Sequence, residues 1–288
     1  MTTLPRLAAV LCTLAIAPLP LRAAEKEDSR FTKGPAKVPL KDYADVQVPA
    51  GYRFADGAMV QEMMRSSGEP VSGRELGAIF SEAAKWFVVF LFDEVGYVKD
   101  DEKNQLDADK LLKTIKSNND AGNEYRKKNG VAPLNIIGWE KQPAYDEKSH
   151  NLEWAIRAES EGRLILNYNV RVLGRKGVME VILVVPPEQL TITLPAFRTL
   201  LEGHQFKQGQ RYAEYKSGDK VAQYGLAALV TGAGAAVAAK LGFFGWLALM
   251  FKKVWKLVVV VVVAIGAFIK RIIFGREREL APPPPGSA

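Results

Sequence analysis

The stretch NLEWAIRAESEGRLILNYNVRVLGRKGVMEVILVV, residues 151–185, decides the fold. Leu152, Trp154 and Ile156 alternate with Glu153 and Arg157, as a half-buried strand requires. Leu164, Leu166, Tyr168 and Val170 alternate in the same way with Asn167, Asn169 and Arg171. The turn GRKG (174–177) leads into VMEVILVV. Two-residue periodicity broken only by turn signals predicts an antiparallel meander.

Working outward, LNIIGW (134–139) opens this run of strands. Before it, Asp107 is a good N-cap, and Ala108, Leu111, Leu112 and Ile115 share one helical face opposite Asp109, Lys110, Lys113 and Lys116. That helix ends near Asn118–Asn119 or continues weakly to Lys128, and Gly130 and Pro133 stop it. Further upstream, WFVVFLF (86–92) is too short to span a bilayer and suits a buried strand. Ala58 to Arg65 reads as a short helix, and VPLKDYADVQVPAGYRFADG (38–57) as extended strands joined by turns. Downstream, Pro195 to His204 reads as a helix burying Phe197, Leu200 and Leu201. The expectation is an α+β domain, mainly one antiparallel sheet with packed helices, followed by a C-terminal transmembrane helical hairpin.

Both ends differ from this middle. Residues 1–24 join Arg6, an apolar run from Leu7 to Leu21 and the small residues Ala23 and Ala24, a secretory signal pattern. From Tyr224 onward two apolar stretches are separated by Lys252, Lys253 and Lys256, and a bilayer core takes about 20 apolar residues to cross as a helix. The expected organisation is a signal peptide (1–24), a flexible segment (25–37), an exported α+β domain (38–210) and a juxtamembrane link (211–222). A membrane anchor of two helices (223–274) and a charged, proline-rich tail (275–288) complete it. Two crossings suit the lysine-rich bend, whereas a single crossing would keep Lys270, Arg271, Arg276 and Arg278 inside. Tyr212, Tyr215 and Tyr224 are expected at headgroup level. Gly232, Gly234, Ala236 and Ala238 fall at the small-residue spacing that lets helices approach in lipid, which points to self-association.

Composition narrows the chemistry. The single cysteine, Cys12, lies in the signal, so a cleaved chain has no thiol chemistry and no disulfide. Of the formal net charge of +7, much flanks the apolar stretches, so the expected partner is an anionic lipid bilayer and not nucleic acid. Asp93, Glu94, Asp100, Asp101, Glu102, Asp107 and Asp109 are dense, but DDEKNQLDADK lacks the ligand order of a calcium loop. The two histidines, His150 and His204, have no zinc-site spacing. No GxSxG, P-loop or other catalytic signature is present, and no metal or cofactor is expected. Trp139, Tyr145, Asp146, His150, Trp154, Asn167, Tyr168, Asn169, Arg171 and Arg175 make up the candidate ligand or partner surface. Such an aromatic and amide-rich sheet face with arginines suits a peptide, glycan or anionic lipid group. The same residues equally suit core, strand-edge and turn positions.

Several strings together carry a resemblance: GYVKDDE with LDADKLLKTIK, NEYRKKNG, GWEKQPAYDEKSHNLEWA, NYNVRVLGRKGVMEV and GQRYAEYKSGDKVAQYGLAALVTG. They resemble a bacterial family known as "predicted membrane-anchored protein", a domain of unknown function, over about Gly34 to Lys270. The resemblance implies an exported domain on a C-terminal anchor in Gram-negative bacteria, and no reaction or site residues. The first functional expectation is a non-enzymatic binding or scaffold protein at the bacterial inner membrane, with its soluble domain in the periplasm and an envelope protein as partner. A periplasmic hydrolase or ligand-processing enzyme using carboxylates and His150, and a subunit of a membrane transport or sensor assembly, are the alternatives.

Overall fold

A computed structural model describes residues 29–69 and 71–232. The expected signal peptide (1–24), most of the expected anchor (223–274) and the expected tail (275–288) lie outside the described residues. The order of elements is β1 (Thr32–Lys33), β2 (Ala36–Leu40), β3 (Ala44–Val48), β4 (Tyr52–Asp56), α1 (Gly57–Ser66), β5 (Glu75–Ser81), β6 (Phe87–Asp93) and α2 (Ala108–Lys128). There follow β7 (Asn135–Asp146), β8 (Asn151–Ser160), β9 (Arg163–Leu173), β10 (Val178–Val185), α3 (Leu190–Glu202), β11 (His204–Phe206) and α4 (Leu226–Thr231).

The meander forms as expected, and it is half of a larger sheet. Eight antiparallel strands run in the order β1-β4-β5-β6-β10-β9-β8-β7. A second sheet, β11-β3-β2, was not anticipated. It covers one face of the large sheet together with α3. Val38, Leu40, Val46 and Val48 meet Phe90, Phe92, Val181 and Leu183 there, with Phe197 and Leu200 of α3. On the opposite face, α1 packs Met59, Val60 and Met64 against Val89, Leu91 and Ile182. Beside it, α2 and α4 pack Leu111, Ile115, Leu226 and Leu229 against Leu152, Trp154 and Ile156. The continuous apolar run of β6 follows from this arrangement, because alternate residues enter different cores. Each fully buried aliphatic or aromatic side chain contributes about 1.5–3 kcal/mol.

The helix ends follow local chemistry. Asp56 caps α1 by accepting from Met59 N (2.9 Å), and Asp107 caps α2 by accepting from Lys110 N (3.1 Å). The longer of the two expected extents of α2 holds, since Asn119, Gly122 and Arg126 continue its buried face. By contrast, α3 begins at Leu190, five residues ahead of the expected Pro195, which it carries inside its first turns.

Three expected boundaries need correction. Strands β1 and β2 begin inside the segment 25–37 that was expected to be flexible. The link 211–222 is fastened to the domain: Tyr212 is buried, its ring stacks on Tyr97 at 4.4 Å, and Ala222 N donates to Tyr97 O at 2.8 Å. Finally, residues 226–231, placed with the anchor, form α4 and bury Leu226, Leu229 and Val230 in the domain core. Among the described residues no helix is long and apolar enough to cross a membrane.

Candidate functional site

A groove of about 430 Å³ opens where the β7–β8 turn meets the chain after β11. Ser149 and His150 line one side, Gln205 and Phe206 another, and Arg211 and Tyr212 close it. The turn itself is built by Asp146, whose carboxylate accepts from Lys148 N and Ser149 Oγ, both at 2.9 Å. That geometry places His150 at φ 53°, a left-handed conformation that residues with a Cβ seldom adopt. Its ring lies 4.4 Å from that of Tyr212.

Behind the histidine runs a relay. Tyr145 Oη donates to Asp100 Oδ2 (3.0 Å) and lies 3.1 Å from His150 Nδ1. A phenol has one proton and a carboxylate only accepts, so Nδ1–H of His150 donates to the tyrosine oxygen. In the tautomer with its proton on Nδ1, the imidazole presents Nε2 as an acceptor. Burial and the neighbouring Asp100 push the Tyr145 hydroxyl well above its ordinary pKa, which keeps the relay protonated at that link. Arg211 at the rim is exposed and makes no ion pair among the described residues. Nearby Arg175 is instead held by Asp219, with Nε to Oδ2 at 2.6 Å and Nη2 to Oδ1 at 2.8 Å.

A second polar cluster is buried under the helices. On β9 the residues Asn167, Asn169 and Arg171 face the helical side, while Leu166, Tyr168 and Val170 face the small sheet. Arg171 is paired in register with Glu180 of β10, and Nη2 lies 3.0 Å from Oε2. Arg74 Nη1 donates to Glu180 Oε1 at 2.7 Å and lies 3.6 Å from Asp93 Oδ2, which also accepts from Tyr224 Oη. The Arg171 guanidinium sits 4.8 Å from the Trp154 ring. Burial would raise the pKa of Glu180, but Arg171 and Arg74 hold it below the ordinary range. Asp93 is pushed up by burial, with Arg74 opposing.

On the other face of the sheet the buried Glu153 forms a counterpart whose cationic partners are partly exposed. Both oxygens accept from Arg198 of α3, and Oε2 also accepts from Lys141 Nζ (2.7 Å) and Tyr168 Oη (2.8 Å). Burial alone would raise its pKa, but these hydrogen bonds hold it down at about 2.

The expected single ligand surface does not form. The structure distributes its residues among five places, with Tyr168 apart from the rest in the core under the small sheet. Tyr145, Asp146 and His150 build the groove, and Trp154, Asn167, Asn169 and Arg171 are buried beneath the helices. Arg175 clamps the segment after Gln210 through Asp219, and Trp139 pins β7 to the start of α2 by donating from Nε1 to Ala108 O (3.0 Å). Sequence reasoning missed Arg211 and Glu180, and named Asp100 only within the acidic cluster, without its link to His150. Only Glu180 left a signal, as the lone charge within VMEVILVV, where a buried partner is required. Among the described residues no three His, Asp or Glu side chains are grouped to hold a metal.

Residues 32–266, well over half of the chain, match the family described as "Protein of unknown function (DUF2167)", and the chain belongs to that family. No curated protein matches it. Among solved structures, cyanobacterial PsbP from Synechocystis sp. PCC 6803 is similar at 12% identity, covering 65% of this chain and 99% of that one, with a TM-score of 0.39. A protein of unknown function from Pseudomonas aeruginosa, PA94, described as a putative regulator, is similar at 13% identity over 58% of this chain and 93% of its own, with a TM-score of 0.24. Likeness this weak carries no argument about this chain.

Proposed function

We propose that this member of the family is an exported binding or scaffold protein, anchored at the bacterial inner membrane by its C-terminal apolar stretches, with the α+β domain in the periplasm. One observation carries the reading: the chain leading toward those stretches is fastened to the α+β domain as far as Thr231. Between Arg211 and Thr231 it is fastened by Tyr212 under Tyr97, by Asp219 on Arg175 and by Tyr224 on Asp93. Beyond these, Glu102 Oε2 accepts from Ala227 N (3.2 Å), and Asn118 Nδ2 donates to Thr231 O (3.0 Å). Gly225 belongs to this clamp, since a Cβ there would sit 2.5 Å from Cδ of Glu102. A domain whose chain is fastened to it as far as Thr231 suits contact with another envelope component. A flexible tether would suit a diffusing enzyme head better.

The test is crosslinking in intact cells followed by mass spectrometry of copurifying proteins. The wild type is compared with a variant carrying a ten-residue Gly/Ser insertion after Thr231. A reproducible partner captured by the wild type and reduced in the insertion variant is the expected result. Equal capture by both would remove the argument from the fastened segment, and no partner with either would remove the scaffold reading.

A second reading, a ligand-processing enzyme built on His150, draws on the relay from Asp100 through Tyr145. That relay brings one carboxylate, Asp100, to the histidine through a phenol, whereas the enzyme reading would be favoured by a pocket gathering His150 with two or more carboxylates.

A further inference from the structure

We infer that the groove between the β7–β8 turn and Arg211 binds a phosphate ester bearing a free hydroxyl. The inference rests on the reading of the protein as a binding module and names the chemistry its groove recognises. Two lining groups carry it. Arg211 is an exposed guanidinium without an ion pair among the described residues, although carboxylates lie close by. Glu214 feels the Arg211 charge but forms no ion pair with it, its Oε2 accepting from Gly209 N (2.7 Å) and Arg211 N (2.9 Å). Asp219 is engaged by Arg175. The rim therefore keeps a cation whose planar fork matches the oxygens of a phosphate.

His150 supplies the second contact. The proton order through Tyr145 to Asp100 fixes Nδ1 as a donor, which leaves Nε2 to accept a hydrogen bond from a ligand hydroxyl. Nε2 makes no hydrogen bond among the described residues. Three separate segments hold the imidazole: the Asp100 loop and β7 through the relay, and Tyr212 by ring contact. Its backbone is kept in a conformation that costs free energy for a residue with a Cβ. A surface histidine with no role would not need that support. A cation on one side and a fixed acceptor on the other demand a ligand with an anionic group and a donor, within a groove of about 430 Å³. A glycerol phosphate unit has both, free in solution or as a lipid headgroup.

The test uses the full chain purified in nonionic detergent and isothermal titration calorimetry. Glycerol 3-phosphate is the soluble probe, and methyl phosphate lacks the alcohol. Dihexanoyl phosphatidylglycerol is the headgroup probe, with dihexanoyl phosphatidylcholine as control. Saturable binding of glycerol 3-phosphate, about tenfold weaker for methyl phosphate, supports a soluble ligand. Saturable binding of phosphatidylglycerol over phosphatidylcholine supports the headgroup. In either case Arg211→Gln and His150→Asn each weaken binding about tenfold or more, Arg211→Gln without shifting the thermal midpoint. Asparagine is chosen because it tolerates the left-handed backbone. Absence of binding by all probes, equal binding of methyl and glycerol phosphates, or binding unchanged in both variants overturns the inference. None of these results bears on partner capture, so the inference and the scaffold reading fail separately.

Discussion

The two faces of β9 have opposite chemistry at the same depth. Leu166, Tyr168 and Val170 enter the core under the small sheet, whereas Asn167, Asn169 and Arg171 enter the opposite interior, and all six are buried. Alternation of apolar and polar residues ordinarily marks a strand with one wet face. Here the polar face of the strand is buried, and a lattice of charges lies over it: Arg171 and the partly exposed Arg74 on Glu180, with Asp93 and Tyr224 beside them. The apolar face holds its own exception in His204, buried between Phe90 and Phe206. Its other charged group, Glu153, sits where Lys141 and Arg198 reach it from partly exposed positions. The contrast teaches that depth alone does not set the energetic weight of a charge. What matters is whether its partners are also withdrawn from solvent.

That comparison breaks most readily at Glu180. Glu180→Leu leaves two guanidiniums without their shared acceptor and is expected to cost about 3–5 kcal/mol, read by urea unfolding of the full chain in detergent. Adding Arg171→Met should recover part of the loss, because the orphaned charge is then removed. A cost under about 1 kcal/mol for the single change would mean that the pair does not hold the polar face.

His204 tests the apolar face by pH. Burial holds its pKa at about 4, below the ordinary 6.5, so the unfolded chain takes up the proton first. The stability is complete above about pH 6.5 and is lost as pH falls toward 4, by about 3 kcal/mol. Denaturation midpoints measured across that window should slope for the wild type and flatten for His204→Phe. An unchanged slope in the variant would assign the effect to other groups.

The smallest expected effect is at Glu153. Its pKa of about 2 lies below the ordinary 4.5, so its contribution is present above about pH 4.5 and lost as pH falls toward 2. Because Lys141 and Arg198 are partly exposed and solvent screens them, Glu153→Gln should cost about 1 kcal/mol at pH 7. The acid slope below pH 4.5 should shrink with it. A cost matching that of Glu180→Leu would erase the distinction between the two faces.

Much of the architecture was legible in local pattern. The alternation in 151–185 specified β8, β9 and β10, the N-cap Asp107 specified the start of α2, and WFVVFLF specified the buried strand β6. The groove was less legible. Tyr145, Asp146 and His150 stand close together in sequence, but Asp100, Gln205 and Arg211 reach them only through the folded chain. The second sheet was missed for the same reason. Strand β11 is three residues long and pairs with β3 across more than 150 residues of sequence, a separation no local period records.

The sequence by itself determined the secondary structure of the meander, the capped helix and the apolar character of both ends, because periodicity and capping are properties of neighbouring residues. Only the tertiary structure decided that Asn167, Asn169 and Arg171 are interior, that residues 211–231 are fastened to the domain and that His150 is aimed by Asp100. Each of those depends on which distant group arrives to satisfy a buried charge or hydrogen bond, and that is settled by packing, not by sequence spacing.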